Sequence, residues 1–560
     1  MKPFLLLCTL SNLCCGLLVP PAILAESTEE TDVVRVFIFA GQSNMVGSDS
    51  KVDDIQRFAP YAGLEKPQRH IRFSYSIGRE SRHESDGWVA LQPVNRGFGP
   101  ELSFGNRVAA ATGAPIAIIK CAAGGTDLGA DWNPDEPGGL RMYPRALKRV
   151  RDALGVLDRN NVPYRLEGFL WHQGENDMFT ESYMADYGNN LKRFLKQWRK
   201  DLKAPGLTFY IGELCTNTIW GMDLRSRMYA ISLGQRAVTD IDPLAEYIRT
   251  SHIAVEIGSE VGLHYHYGTL GQLELGDNYA ASYLAGIKKT QPVARSIDPW
   301  PYPGGSHVRL FVLAGHRNME GERAFVEELQ TQPGGVHLGQ PDGGIAYRYS
   351  TGGGYHVSNG WEPLMPSGRY DTFGPELSFA ATLSRKRSGN IAIAKFTHSG
   401  SQLIDWTPEG SSARTRHIYP RFIAFIKTAL KDLTEKGHAV ELAGIFYHLS
   451  ENDMSFGPYR RRAATRLEST IMATRRDLGL DQLKWYVSQQ APTDHEDLNR
   501  IDVLGAIAER AAADANLIHL KVLELPGREE KLVITTEGII RLGEIIAQRY
   551  IQDHDAPRVP

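Results

Sequence analysis

Two tandem three-layer α/β/α domains, each built on a parallel sheet, are what this sequence of 560 residues predicts. Three observations carry the prediction. The chain repeats itself once, block for block and in one order. Its apolar runs, such as Val36-Phe37-Ile38-Phe39-Ala40, show no alternation, which is how a strand reads when helices cover both faces of its sheet. Those runs alternate with stretches of helical periodicity, the pattern of α/β architecture. The repeat is far longer than a solenoid unit, so it marks a duplicated domain.

The first 25 residues, "MKPFLLLCTLSNLCCGLLVPPAILA", have a basic start at Lys2, an apolar middle and small residues near Ala25. This is the pattern of a cleaved secretory signal, and Ser11, Asn12, Pro20 and Pro21 interrupt it too often for a membrane span. The expected location is therefore secreted or periplasmic. Cys8, Cys14 and Cys15 would leave with the signal, and Cys121 and Cys215 alone make no disulfide framework. No later run is long and apolar enough to span a bilayer. With 62 basic against 65 acidic residues, the net charge of -3 offers nothing to nucleic acid.

The first domain is assigned to residues 33–287, a linker to 288–307 and the second domain to 308–555. "VFIFAGQSNMVG" (Val36 to Gly47) returns as "LFVLAGHRNMEG" (Leu310 to Gly321), and "FGPELSFG" (Phe98 to Gly105) as "FGPELSFA" (Phe373 to Ala380). The segment Ile116 to Trp132 returns at Ile391 to Trp406, and "LEGFLWHQGENDM" (Leu166 to Met178) as "LAGIFYHLSENDM" (Leu442 to Met454). Between the second and third strand-end blocks Tyr143, Leu147, Val150, Leu154 and Leu157 share one helical face, as do Tyr419, Ile423, Ile426, Leu430 and Leu433 in the repeat. The linker holds four prolines and a glycine pair, which break helix and strand alike.

Parallel sheets build sites beyond the carboxyl ends of their strands. In the first copy those ends carry Ser43, then Gly125 in "CAAGGTD", then Gln173 and Asn176 in "HQGENDM", and late in the copy His264 and His266 in "LHYHYGTLG". A serine nucleophile, a base and neutral amide donors are the parts of acyl transfer. Each also has a plain structural reading, Ser43, Gln173 and Asn176 as helix caps, Gly125 as a turn glycine, and either histidine as a satisfied polar group. Their joint occurrence at successive strand ends favours chemistry. No further cluster shows metal-ligand spacing, so neither metal nor cofactor is expected.

These blocks resemble those of the SGNH hydrolases, and "GQSNMxG" with "WHQGE" is similar to the sialate O-acetylesterase and acetylxylan esterase group of carbohydrate esterases. The resemblance implies flavodoxin-like sheets and hydrolysis of an acetyl ester on a glycan or small acetylated sugar. It implies Ser43 as nucleophile, and an oxyanion hole from the Ser43 and Gly125 amides with the Asn176 or Gln173 side chain. His266 fits the family's spacing for the base, with His264 second. The family commonly has an aspartate three residues before its histidine, where this chain has Leu263. The expectation is that Glu260 substitutes, or that a backbone carbonyl orients a Ser-His dyad.

In the second copy Arg317 stands for Ser43, His316 for Gln42, Leu449 for Gln173 and Val533 for His266. Neither arginine nor valine can do the work of the residue it replaces. The expectation is an inactive domain that braces the first or binds a glycan in its old cleft through Arg317, His398 and Trp406. The Asp131-Trp132 pair survives as Asp405-Trp406 and reads as structural in both copies.

Overall fold

Each half of the chain lays down six parallel strands in the same order. The computed structural model describes residues 33–555 apart from 80–81, 215–217, 220–221, 256–264, 289–295, 387–388, 491–495, 527 and 530–531. In the first half β1 (Val34–Gly41), β2 (Gln68–Ile77), β3 (Ile116–Ala122), β4 (Tyr164–His172), β5 (Phe209–Gly212) and β6 (Ala245–Ile248) run in the order β6-β5-β4-β1-β3-β2. In the second half β7 (His307–Gly315), β8 (Asp342–Thr351), β9 (Asn390–Thr397), β10 (Ala439–His448), β11 (Trp485–Gln490) and β12 (Leu517–Leu523) run in the order β12-β11-β10-β7-β9-β8. Short antiparallel strands flank β2 and β8 at the edge.

The unalternating apolar runs are explained by a core on either face. Along β1, Val34, Val36, Ile38 and Ala40 enter one core with α2 (Met142–Arg159), α3 (Tyr187–Asp201) and α4 (Arg225–Thr239). Phe37 and Phe39 enter the other, against α1 (Glu101–Thr112) and α5 (Gly268–Lys288). Tyr143, Leu147, Val150, Leu154 and Leu157 are all buried along α2, as their spacing predicts. The second half repeats both layers. Helices Tyr419–Glu435, Ala463–Leu478 and Val503–Ala513 lie on one face, and Glu376–Lys386 and Thr536–Asp555 on the other. Even an irregularity is duplicated, for the register of β1 on β4 slips after Val36 and that of β7 on β10 after Leu310.

The glutamate of the "FGPELSF" block shows why both copies keep it. Lys120 is buried in an ion pair with Glu101 at 2.7 Å and also donates to the Val46 carbonyl, so it anchors the turn that follows β1. Lys395, Glu376 and the Glu320 carbonyl repeat the arrangement. A buried pair of this kind is strongly destabilising to break, because either charge left alone is unsolvated.

The halves do not hang on a free linker. Tyr302 is buried in the second core, where its hydroxyl bonds the Ile391 carbonyl and accepts from the Ala346 amide, and Trp300 packs beside it. The part of the expected linker around these two residues thus belongs to the second domain. The domains also pack on one another: Phe58 meets Phe325 edge to face, the Arg225 guanidinium lies 4.6 Å above the Tyr459 ring, and His252 stacks on Tyr355 at 3.6 Å. No helix among the described residues is long and apolar enough to cross a membrane.

Candidate active site

The pairing of β1 with both neighbours sets the frame, because Gly41 stands level with Ala122 on β3 and with His172 on β4. Gly41 has no alternative there, since a Cβ would lie 2.1 Å from the His172 carbonyl oxygen. Beyond these three ends the chain exposes one residue at a time. Ser43 is partly open between buried Gln42 and Asn44, Asn176 between buried Glu175 and Asp177, and Gly125 is exposed. Gly124 backs onto the serine, where a Cβ would sit 3.7 Å from Ser43 Cβ. Ser43 opens only a single helical turn, Ser43–Val46, closed by Gly47. Among the described residues the Ser43 and Gly125 amides have no acceptor and Ser43 Oγ has no hydrogen-bond partner.

His266 comes to this end of the sheet from the start of α5. Asn44, the residue after Ser43, brackets it: Nδ2 donates to the Tyr265 carbonyl at 2.9 Å, and Oδ1 accepts from the Tyr267 amide at 3.2 Å. The Asn44 carbonyl in turn accepts from Gln272 Nε2 on α5. His266 Nδ1 lies 2.6 Å from Asp49 Oδ2. The bond to His266 is the main cause that holds the Asp49 carboxyl below its ordinary value, with the His266 and Lys51 charges adding to it and burial opposing. An ionised carboxylate only accepts, so Nδ1 carries the proton and Nε2 is left as the basic nitrogen.

Asp49 was missing from the expected set, and it overturns the reading of a dyad oriented by a backbone carbonyl. Glu260, Leu263 and His264 lie outside the described residues. The expected carboxylate was one close to the histidine in sequence, whereas the one that meets the imidazole lies six residues after the serine, at φ 64° in the left-handed region that lets its side chain turn toward the ring. A signal for it existed: Asp49 becomes Arg323 in the second copy, so it is lost together with Ser43 and His266.

Gln173 is likewise corrected. It is fully buried, and its Nε2 is occupied by the Thr126 carbonyl at 3.0 Å, Asp177 Oδ2 at 2.5 Å and Gln42 Oε1 at 3.2 Å. No donor remains for a substrate. Gln42 Oε1 also accepts from the Gly174 and Asn176 amides, so these buried amides shape the loop that presents Asn176. Among the described residues Asn176 Nδ2 is held only by a long 3.4 Å contact to Asp127. Beneath it Asp177 accepts from the Leu128 and Gly129 amides, and burial pushes its carboxyl up to about 7 against those donors. Arg79, which sequence reasoning passed over, donates to the Gly124 and Gly125 carbonyls at 3.0 and 2.9 Å and so fixes that loop. Asp49 also lines a cavity of about 360 Å³, together with His83, Asn95, Arg96 and the Glu101–Lys120 pair. No cluster of metal-ligating side chains occurs among the described residues.

The sequence model of a carbohydrate esterase family described as sialic acid-specific acetylesterase matches residues 33–285 and again 307–552. The chain belongs to this family. A probable carbohydrate esterase of Arabidopsis thaliana is 25% identical over 244 residues, 41% of this chain and 87% of that one. Among solved structures, one of an Arabidopsis thaliana protein matches 45% of this chain and 98% of its own at 21% identity and a TM-score of 0.35. NanS matches 46% of this chain and 99% of its own at 17% identity and a TM-score of 0.36.

The second domain of this family member has the same frame and a different filling. Asn318 brackets Val533 as Asn44 brackets His266, bonding the Leu532 carbonyl at 2.9 Å and the Ile534 amide at 3.0 Å. Arg317, in the place of Ser43, is buried in a two-pronged pair with Glu322 at 2.8 and 2.7 Å, and its Nε donates to Asn452. Arg317, His398 and Trp406 are 2%, 3% and 0% exposed, so the cleft expected to hold a glycan through them is closed. Part of the closure comes from the first domain, for a Cβ on Gly400 would lie 2.0 Å from the Ser251 carbonyl oxygen. Trp406 and its counterpart Trp132 are core residues, each bonding the hydroxyl that precedes it in its own loop, Ser401 and Thr126.

Proposed function

We propose that the first domain is a serine esterase that removes acetyl groups from the hydroxyls of a carbohydrate, and that the second is catalytically inert. The observation that carries this is the Asp49–His266 pair, tied to the residue after Ser43 by the bond that Asn44 donates to the Tyr265 carbonyl and the one it accepts from the Tyr267 amide. Ser43 Oγ attacks the acetyl carbonyl carbon while His266 Nε2 takes its proton. The charge that develops on the carbonyl oxygen is met by the Ser43 and Gly125 amides and Asn176 Nδ2. His266 then returns the proton to the departing sugar oxygen, leaving acetyl-Ser43. Water, deprotonated by the same imidazole, cleaves that ester and releases acetate. Asp49 keeps the imidazole in the productive tautomer and stabilises its protonated form. The Ser43–His266 hydrogen bond belongs to the substrate complex, where catalytic contacts of this kind tighten.

Family membership supports an acetylated carbohydrate as the substrate. The decisive experiment is acetate release from a panel of acetylated sialic acids, xylans and pectins by wild type, Ser43→Ala and His266→Ala. Background rates in the wild type on every member and on 4-nitrophenyl acetate would end the esterase reading. The inertness of the second domain is supported by Arg317, Arg323 and Val533 standing where the nucleophile, acid and base would be. Export through cleavage of residues 1–25 is part of the proposal, and N-terminal sequencing of the mature protein tests it.

A further inference from the structure

His266 stands between two chain segments that the fold ties together. One follows the first domain's last strand, residues 249–255, and the other is α5. The Ala254 amide donates to Glu274 at 2.7 Å and Asn278 Nδ2 to the Arg249 carbonyl at 2.6 Å. Gly271 packs so closely on Ala254 that a Cβ would lie 2.1 Å from its carbonyl oxygen. The second domain grips both segments with one side chain. The Tyr355 ring stacks on His252 with centroids 3.6 Å apart, and its hydroxyl bonds Asn278 Oδ1. Two further groups of the second domain secure His252: Tyr370 Oη lies 2.9 Å from its Nε2, and Ser399 Oγ donates to its carbonyl at 2.9 Å.

The hairpin that carries Tyr355 is made for this contact. It reads Gly352-Gly353-Gly354-Tyr355, with φ of 57°, 59° and 92° at the glycines, and a Cβ on Gly352 would come within 2.8 Å of His252 Cβ. The corresponding hairpin of the first domain starts Gly78-Arg79 and turns back on its own site through the Arg79 bonds to Gly124 and Gly125. Duplication has thus turned a loop that serves its own domain's site into one that serves its neighbour's.

We infer that Tyr355 is a positioning residue for the first domain's imidazole, and that the inert second domain is required for full esterase activity. The inference rests on His266 being the base.

The test uses the full chain and 4-nitrophenyl acetate. Tyr355→Ala should lower kcat by about 100-fold, the scale of a displacement of about 1 Å at a reacting group, with KM within about twofold. Hydrogen exchange at residues 265–272 should rise, while Tyr355→Phe, which keeps the stack, should recover most of kcat. Tyr459→Leu, which loosens the interface at Arg225 instead, should leave kcat within about twofold of wild type. Wild-type kcat in Tyr355→Ala, with His266→Ala inactive, overturns the positioning role. An active His266→Ala overturns the base assignment instead. Equal losses in Tyr459→Leu and Tyr355→Ala would show that docking in general, not Tyr355, sets the imidazole. If Tyr355→Ala does not fold, Tyr370→Phe decides in its place: a fall in kcat with faster exchange at 265–272 supports the inference, and no change in either refutes it.

Discussion

Replacing Asp49 by asparagine removes one charge and leaves the backbone undisturbed, because Asp49 sits at φ 64° and asparagine is among the residues that tolerate that region. The size of the effect follows from how wet the pair is. A unit charge about 4 Å from an imidazolium is worth about 1 kcal/mol in water and about 4 kcal/mol at an effective dielectric of about 20. The Asp49 side chain is 59% exposed and that of His266 11%, so the interaction belongs near the aqueous limit and is screened by salt. About 1–2 kcal/mol of transition-state stabilisation is lost, a fall in kcat/KM of about 5- to 30-fold. A buried triad acid loses about 10,000-fold on the same change, because a trapped amide enforces the wrong tautomer. In the Asp49→Asn variant the exposed amide can instead turn its carbonyl oxygen to Nδ1. Asp49 is held below its ordinary value, so its carboxylate stays ionised between about pH 7 and 9, where the loss is to be read. The assay is kcat/KM on 4-nitrophenyl acetate across that range. No loss would mean that another acid orients His266, and a loss above about 1,000-fold would refute the screened-pair argument.

The remaining expectations separate chemistry from support. Asn176→Ala should lower kcat by about 100- to 1,000-fold without changing the melting temperature. Gln173→Ala should instead destabilise the fold by about 2 kcal/mol, since it strips buried Asp177 of a donor. Arg317→Ser should give the second domain no turnover and cost about 3–5 kcal/mol, because Glu322 is left buried without its partner; hydrolysis by the Ser43→Ala, Arg317→Ser double variant would contradict this. Asp177, pushed up to about 7 when folded against about 3.9 unfolded, binds its proton more tightly in the native state. Its stabilisation is therefore full below about pH 4 and lost as pH rises through about 7. The melting temperature of wild type minus that of Asp177→Asn should accordingly fall between about pH 5 and 8. Burial pushes the Cys121 thiol up to about 12, so a thiol-reactive dye should leave it untouched at about pH 8 in the native Cys215→Ser variant.

The architecture was legible because it is written in local patterns. Unalternating strands, the α2 face from Tyr143 to Leu157 and the doubled blocks are properties of contiguous sequence, and hydrophobic periodicity alone requires two cores per sheet. The positions of Ser43, Gly125, Asn176 and His266 at strand or helix ends were legible as well, and a parallel sheet gathers its ligand groups at such ends. Gln173 was misjudged because an amide's chemistry is set by its partners. Nothing in the block "HQGENDM" says that Thr126, Asp177 and Gln42 have already claimed that donor. The contacts of Asp49 and Tyr355 are absent from the sequence pattern for the same reason in larger form. The bond from His266 to Asp49 spans 217 positions, and that from Tyr355 to Asn278 crosses between domains. By itself the sequence determined two α/β/α domains and which of them carries a serine and a histidine at the ends of its elements. Which acid faces the imidazole, and which surface holds its loop, only the tertiary structure decided, because hydrogen bonds depend on direction and distance across chain closures that no periodicity encodes.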